Sequence, residues 1–269
     1  MKFLFFSLFF FIFFAFSFEN PQELSYNLVW EDNFKGSSLD TNFWNIYVGN
    51  GCPELCGFGN HELQYYKSDS SNLVVKNGHL IITALYDSIS KLFSSAKITT
   101  NHKIDFKNGY LEVVAKLPNA VGTLPVIWPL PSLDRNLNWP LDGEIDIMEN
   151  VGYDSCKILG TIHTKAYNHT INTQKSDSIV ISTAHQDFHT YSLNWTDSIL
   201  EWYVDFNLYN SIKRKSTDRE EQWPFNKPFH LIINQAVGGD WGGRKGVDTT
   251  SFPQSLIIKR VKLYNKKPY

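Results

Sequence analysis

The hexapeptide Glu144-Ile145-Asp146-Ile147-Met148-Glu149 alternates acidic and apolar side chains over its first four residues. That is the period of a strand with one polar face and one buried face. Met148 breaks the alternation. On a regular strand Glu144 and Glu149, an odd number of positions apart, would face opposite ways. One extra residue taken up as a β-bulge brings Glu144, Asp146 and Glu149 to the same face. The two glutamates are then four strand positions apart in effect, about 13 Å between Cα atoms at about 3.3 Å per residue. Their side chains can lean together over Asp146. Carboxylates brought to about 5–5.5 Å have the spacing of a retaining glycosidase, whereas about 6.5–9.5 Å leaves room for an attacking water. Clustered acids raise each other's pKa, which suits an acid beside a nucleophile or base, or a metal site. An exposed acidic strand edge gives the same pattern, and the hexapeptide alone leaves these readings open.

Short apolar or alternating runs recur on both sides of it: Leu28–Trp30, Leu73–Lys76, Leu80–Ala84, Tyr110–Lys116, Gly160–His163, His189–Trp195, Leu200–Asp205, Phe229–Val237 and Leu256–Tyr264. Turn residues separate most of them, as in Lys76-Asn-Gly78 and Phe106-Lys-Asn-Gly109. Few segments have a helical period. The pattern predicts an all-β chain folded as a two-sheet antiparallel sandwich. Its many tryptophans suit sugar-ring stacking on a concave sheet, although Trp195 and Trp202 read better as core.

The first eighteen residues hold Lys2 and a long Phe-rich apolar run. This run is too short for a comfortable membrane span and fits a secretory signal, with a retained anchor as the alternative. Residues 19–269 then form one domain, since no repeat or linker divides them. The net charge of −2 gives no sign of a nucleic-acid partner or an anionic membrane. Cys52 and Cys56 form either a loop-tightening disulfide or part of a zinc site, though no second pair completes the latter. Cys156 reads as a buried free thiol. Asn168-His-Thr170 and Asn194-Trp-Thr196 are possible glycosylation sequons.

With Trp139-Pro and Gly143 before it, the hexapeptide resembles the active-site strand of family-16 glycoside hydrolases, specifically the laminarinase-like β-1,3-glucanases. Leu28-Val-Trp-Glu-Asp-Asn-Phe34, Asn60-His-Glu-Leu-Gln-Tyr-Tyr66, Gly160-Thr-Ile-His163, Trp202-Tyr-Val-Asp205, Trp223-Pro-Phe225 and Ala236-Val-Gly-Gly-Asp-Trp241 resemble that family's other landmarks, in the same order. The resemblance implies a β-jelly-roll with a concave cleft, and a secreted, monomeric enzyme that cuts β-glucan internally with retention. It implies Glu144 as nucleophile, Glu149 as acid and base, and Asp146 as the group that keeps their pKa values apart. It places His163 near the acid end, Asn60 and Glu112 on sugar hydroxyls, and Trp128, Trp139 and Trp241 as cleft aromatics.

Some positions depart from the family pattern. Leu124 stands where a tryptophan is common, and Val114 where a cleft arginine is common. Many members hold a structural calcium between the first and last strands; the matching positions here are Asn33 and Lys259, neither acidic. No calcium and no other cofactor is therefore expected, and the Lys259 ammonium could stand in the cation's place. Similar folds also serve as non-catalytic β-glucan recognition proteins, which have lost the carboxylates kept here. Transglycosylases share the same carboxylate chemistry, and the aglycone side of the cleft separates the two.

Overall fold

Every apolar run named above lies on a strand to within one residue, in a computed structural model that describes residues 26–268. The expected signal segment, residues 1–18, lies outside them. In chain order the first strands are β1 (Leu28–Asp32), β2 (Asn45–Tyr47), β3 (Gln64–Tyr66), β4 (Leu73–Lys76), β5 (His79–Asp87), β6 (Leu92–Ser95), β7 (Lys97–Thr99), β8 (Asp105–Phe106) and β9 (Gly109–Lys116). They continue as β10 (Thr123–Pro131), β11 (Glu144–Glu149), β12 (Lys157–His163), β13 (Lys175–Val180), β14 (His189–Trp195), β15 (Ile199–Val204), β16 (Asn207–Lys213), β17 (Phe229–Val237) and β18 (Gln254–Tyr264). Among the described residues there is no α-helix, and no helix long and apolar enough to cross a membrane.

Two sheets pack face to face, the jelly-roll sandwich expected. The cleft sheet runs β13-β12-β11-β10-β17-β7-β2, with β8 on β17. The back sheet runs β16-β15-β14-β9-β18-β5-β6-β3, with β1 on β18 and β4 on β5. Pairing is antiparallel except between β3 and β6. Alternate side chains of both sheets meet in one buried cluster, to which β11 gives Ile145, Ile147 and Met148 and β9 gives Leu111, Val113 and Ala115. Trp195 and Trp202 belong to it, as expected, at 1% and 0% exposure.

β10 was hidden by Pro125, Pro129 and Pro131. It is tolerated in mid-sheet because β11 pairs with it only at Val126↔Glu149 and Ile127↔Met148. Elsewhere on that side there is no ladder for the prolines to interrupt.

The bulge is present. Asp146 pairs with Thr161 and Glu149 with Leu159, so three steps on β11 match two on β12. Ile147 and Met148 both turn inward, at 1% and 0% exposure. From the back sheet, Trp202 Nε1 donates to the Asp146 carbonyl at 2.8 Å and Asn210 Nδ2 to the Gly160 carbonyl at 2.9 Å. A Cβ on Gly160 would lie 2.5 Å from Trp202 Cδ1 and 2.6 Å from the Tyr209 hydroxyl oxygen, so only glycine lets β12 settle this close.

Cys52 and Cys56 form a disulfide. Cys156 is free but half-buried rather than buried, with Sγ near the Ser182 carbonyl. The Asn168 amide is 2% exposed and spent on structure: Nδ2 donates to the Thr164 and Lys165 carbonyls, and Oδ1 accepts from Thr170.

Candidate active site

Inward-facing Ile145, Ile147 and Met148 leave Glu144, Asp146 and Glu149 on the outer, concave face of the cleft sheet. Trp139, on the loop before β11, donates from Nε1 to Glu144 Oε2 at 2.8 Å. Glu149 leans back along the strand, so that its Oε2 accepts from Thr161 Oγ1 at 2.8 Å although Thr161 pairs with Asp146. His163 is buried, with Nε2 3.4 Å from Asp146 Oδ2 and 4.0 Å from Glu144 Oε1. This corrects its expected place at the acid end. Its register partner is Glu144, which puts it at the opposite end of the carboxylate row.

Burial dominates the electrostatics. It pushes Glu149 up to about 7, the Thr161 hydrogen bond opposing and the Glu144 charge adding. It also raises Glu144, but the Trp139 N–H, a hydrogen bond from Asp146, His169 and Lys97 all pull the other way. Asp146 is raised well above the usual carboxylate range by burial, then by the charges of Glu149 and Glu144. Asp146 therefore keeps its proton and shares it with Glu144. Burial lowers His163 to about 4, leaving a neutral imidazole at pH 7. Glu144, Asp146 and His163 bring ligand-type atoms within 4.8 Å of one another; a protonated Asp146 fits proton sharing better than cation binding.

Across β10 and β17 the same face carries Trp128, whose Nε1 donates to Asn234 Oδ1 at 2.7 Å. Lys97, on β7, is a cleft-face residue the sequence reading missed. Its ammonium lies 5.1 Å from the Trp128 ring centre, 5.4 Å from that of Tyr47 and 5.0 Å from that of Phe58. Burial lowers its pKa, while Glu62 and Glu144 hold its charge. Glu62, also missed, takes hydrogen bonds from Gln64 and Asn60. The loops that carry Asn60 and Trp241 are joined, for the Asp240 N–H donates to the Asn60 carbonyl at 2.8 Å. His169 packs on Trp139, 5.1 Å between ring centres. Leu124 lies on the cleft face of β10, in line with Val126 and Trp128.

Glu112 does not join this group. It sits on β9 of the back sheet, paired with Ser192 and Lys262, and alternates with the core residues Leu111 and Val113. Its side chain thus faces away from the sandwich interior and the cleft beyond. Val114, two residues on, shares that outer face, so it does not stand in for a cleft arginine. The cleft cation is Lys97.

The Trp139 loop is anchored by Asp142. Its carboxylate, 1% exposed, accepts from Arg135 at 2.7 and 2.5 Å and from the Asn138 N–H at 2.7 Å. Arg135 first, then the Asn138 N–H and Lys227, hold its pKa at about 2. A depressed carboxyl pKa stabilises the fold above the unfolded value, about 3.9, and this is lost as pH falls through about 2. Asp142→Asn is expected to lower Tm by about 4–8 °C at pH 7. The gap to the parent should close toward pH 2 in parallel melts, and an equal gap at both pH values would refute the pairing.

Comparison with known proteins places this carboxylate-bearing jelly roll in a family. Residues 59–253 match the family model for glycosyl hydrolases family 16. A β-glucanase from Rhodothermus marinus is 43% identical over 248 residues, covering 89% of this chain and 85% of that protein. The X-ray structure of the laminarinase from Rhodothermus marinus superposes with a TM-score of 0.84 at 41% identity, covering 90% of this chain and 98% of that one. A crystal structure of a non-specific endo-β-1,3(4)-glucanase of the family gives 0.84 at 38% identity, covering 91% and 92%. The family model covers residues 59–253, and the relatives agree in sequence and fold along most of both chains: the protein belongs to glycosyl hydrolase family 16.

Proposed function

We propose that this chain is a secreted, monomeric endo-glucanase that hydrolyses β-1,3-glucosidic bonds of β-glucan with retention of configuration. Mixed β-1,3-1,4-glucan is a second substrate, in line with the endo-β-1,3(4)-glucanase among its structural relatives. The observation that carries the reading is the split in protonation along β11. Asp146 holds a proton between Glu144, where hydrogen bonds from Trp139 and Asp146 oppose the upward push of burial, and Glu149, whose pKa near 7 lets it give and take one. Glu144 attacks the anomeric carbon while Glu149 passes its proton to the departing glycosidic oxygen. Water then attacks the glycosyl ester, giving its proton to Glu149 and freeing the Glu144 carboxylate. Two inversions restore the β-anomer.

Trp128, Trp139 and Trp241 offer stacking faces, and Asn60, Glu62 and Lys97 offer polar contacts to hydroxyl groups. Laminarin, lichenan, carrageenan and agarose form a discriminating panel. Soluble oligosaccharides from laminarin, β-configured when first released, are expected. Binding without cleavage would instead mean a glucan-recognition protein. Products longer than the oligosaccharides supplied would mean a transglycosylase.

No structural calcium enters this reading. Asn33 is a neutral amide, and the Lys259 ammonium lies 5.9 Å from the Phe188 ring centre, so the pair fits a dication poorly. Thermal melting is expected to be unchanged by excess EDTA or added calcium; a clear shift with either would refute this.

A further inference from the structure

Beside Glu149, on the same face of the cleft sheet and toward its β13 edge, lies a pair of hydroxyl groups that the mechanism above does not use. Thr161 Oγ1 stands 2.8 Å from Glu149 Oε2 and 3.0 Å from Ser176 Oγ. Thr161 is 3% exposed, whereas Ser176 is exposed on β13, the edge strand of the cleft sheet. A hydroxyl has one proton to give. When Thr161 donates to Glu149 it must accept from Ser176, so the two bonds share one direction, from solvent toward the carboxylate.

Resting on the assignment of Glu149 as acid and base, we propose that Thr161 is its positioning residue and that Thr161 and Ser176 form a hydroxyl path joining it to solvent. The bond to Oε2 leaves Oε1 as the oxygen offered to the glycosidic bond. A polysaccharide filling the cleft covers Glu149, whereas the path runs sideways along the sheet to exposed Ser176 on its edge strand. A proton passing from solvent water to Ser176 displaces the Ser176 proton onto Thr161, whose own proton passes to the Glu149 carboxylate, and half a turn of the neutral carboxyl brings it to the glycosidic oxygen. Each hydroxyl ends as it began. A glucanase that binds polymer with Glu149 ionised can thus recharge it without releasing the chain.

The framework suits this duty. Thr161 is β-branched and stiff about χ1, its strand is paired on both sides, and adjacent Gly160 is pinned by Trp202 and Asn210. Around Glu149 the other titratable groups are Glu144 and Asp146 on its own strand and the buried Tyr209 hydroxyl from β16. Asp177 follows Ser176 on β13, and the facing residue on β10 is apolar Val126.

The test is the pH profile of kcat/KM on laminarin oligosaccharides for wild type, Thr161→Val, Thr161→Ser and Ser176→Ala. The alkaline limb reports the acid. Loss of a hydrogen bond to its charged form should move that limb up by about one pH unit in the valine variant. Its kcat should fall about tenfold with KM nearly unchanged. The serine variant should restore both, and Ser176→Ala should move the limb the same way by less. Carbon-13 NMR of glutamate-labelled protein follows Glu149 directly, whether or not glucan is cut. Laminarin left intact by the wild type would refute the glucanase reading alone. A Glu149 titration that is the same in wild type and Thr161→Val, or a serine variant that behaves like valine, would overturn the path.

Discussion

Glu144→Ala should reduce kcat on laminarin about 10⁴-fold or more, because the variant has no group to form the glycosyl ester. The cavity left beside Trp139 Nε1 is the size of a small anion. Azide or formate should therefore restore turnover of an activated aryl glucoside with a good leaving group. An external anion attacking the β-glucoside directly inverts it once, so the recovered glycosyl azide should be the α-anomer. A β-azide from this variant would show that an enzyme nucleophile survives and that Glu144 is not it. Glu144→Gln keeps the shape and the Trp139 hydrogen bond but not the charge, and should be equally inactive without rescue.

Glu149→Ala should fail differently. Its loss should depend on how much help the leaving group needs: about 10³-fold on laminarin, whose departing sugar alkoxide must be protonated, and little on an aryl glucoside whose phenolate leaves unaided. The glycosyl ester on Glu144 would still form but could not be hydrolysed efficiently, so ester should accumulate and a burst of phenol should precede a slow steady state. Azide intercepting that ester inverts the centre a second time and should give the β-anomer. The two alanine variants are thus told apart by the anomer of one product, read by proton NMR. If Glu149→Ala gave the α-azide and Glu144→Ala the β-azide, the roles would be exchanged. In the parent, the pKa near 7 at Glu149 sets the expected fall of kcat/KM above neutral pH, where the acid loses its proton.

Much of this was legible in the hexapeptide. Alternation from Glu144 to Ile147, broken at Met148, requires a bulge if all three acids are to share a face, and Ile147 and Met148 do both point inward. What stayed hidden depended on pairing. His163 was expected near Glu149, yet register sets it beside Glu144, and register is a property of two strands. Glu112 lies in a strand as regular as any other, and nothing local says to which sheet that strand belongs. Lys97 sits in a three-residue strand too short to register as a run, although the alternation of buried Ala96 and Ile98 with Lys97 and Thr99 was there to be read. Thr161 was quoted for its place beside His163, while its bond to Glu149 needs the bulge that swings the two together.

That bulge has a consequence for length. Deleting Met148 would return β11 to strict alternation, and by parity all three acids would still look outward. Facing is therefore not what the additional residue supplies. A bulge bends its strand and tightens the local twist, and here the bend turns Glu149 back toward Thr161 instead of leaving it upright beside Leu159. The extra methionine works as a wedge in a hinge: it sets the angle at which the last carboxylate meets its neighbours. A one-residue deletion would then keep every charged group and lose their aim.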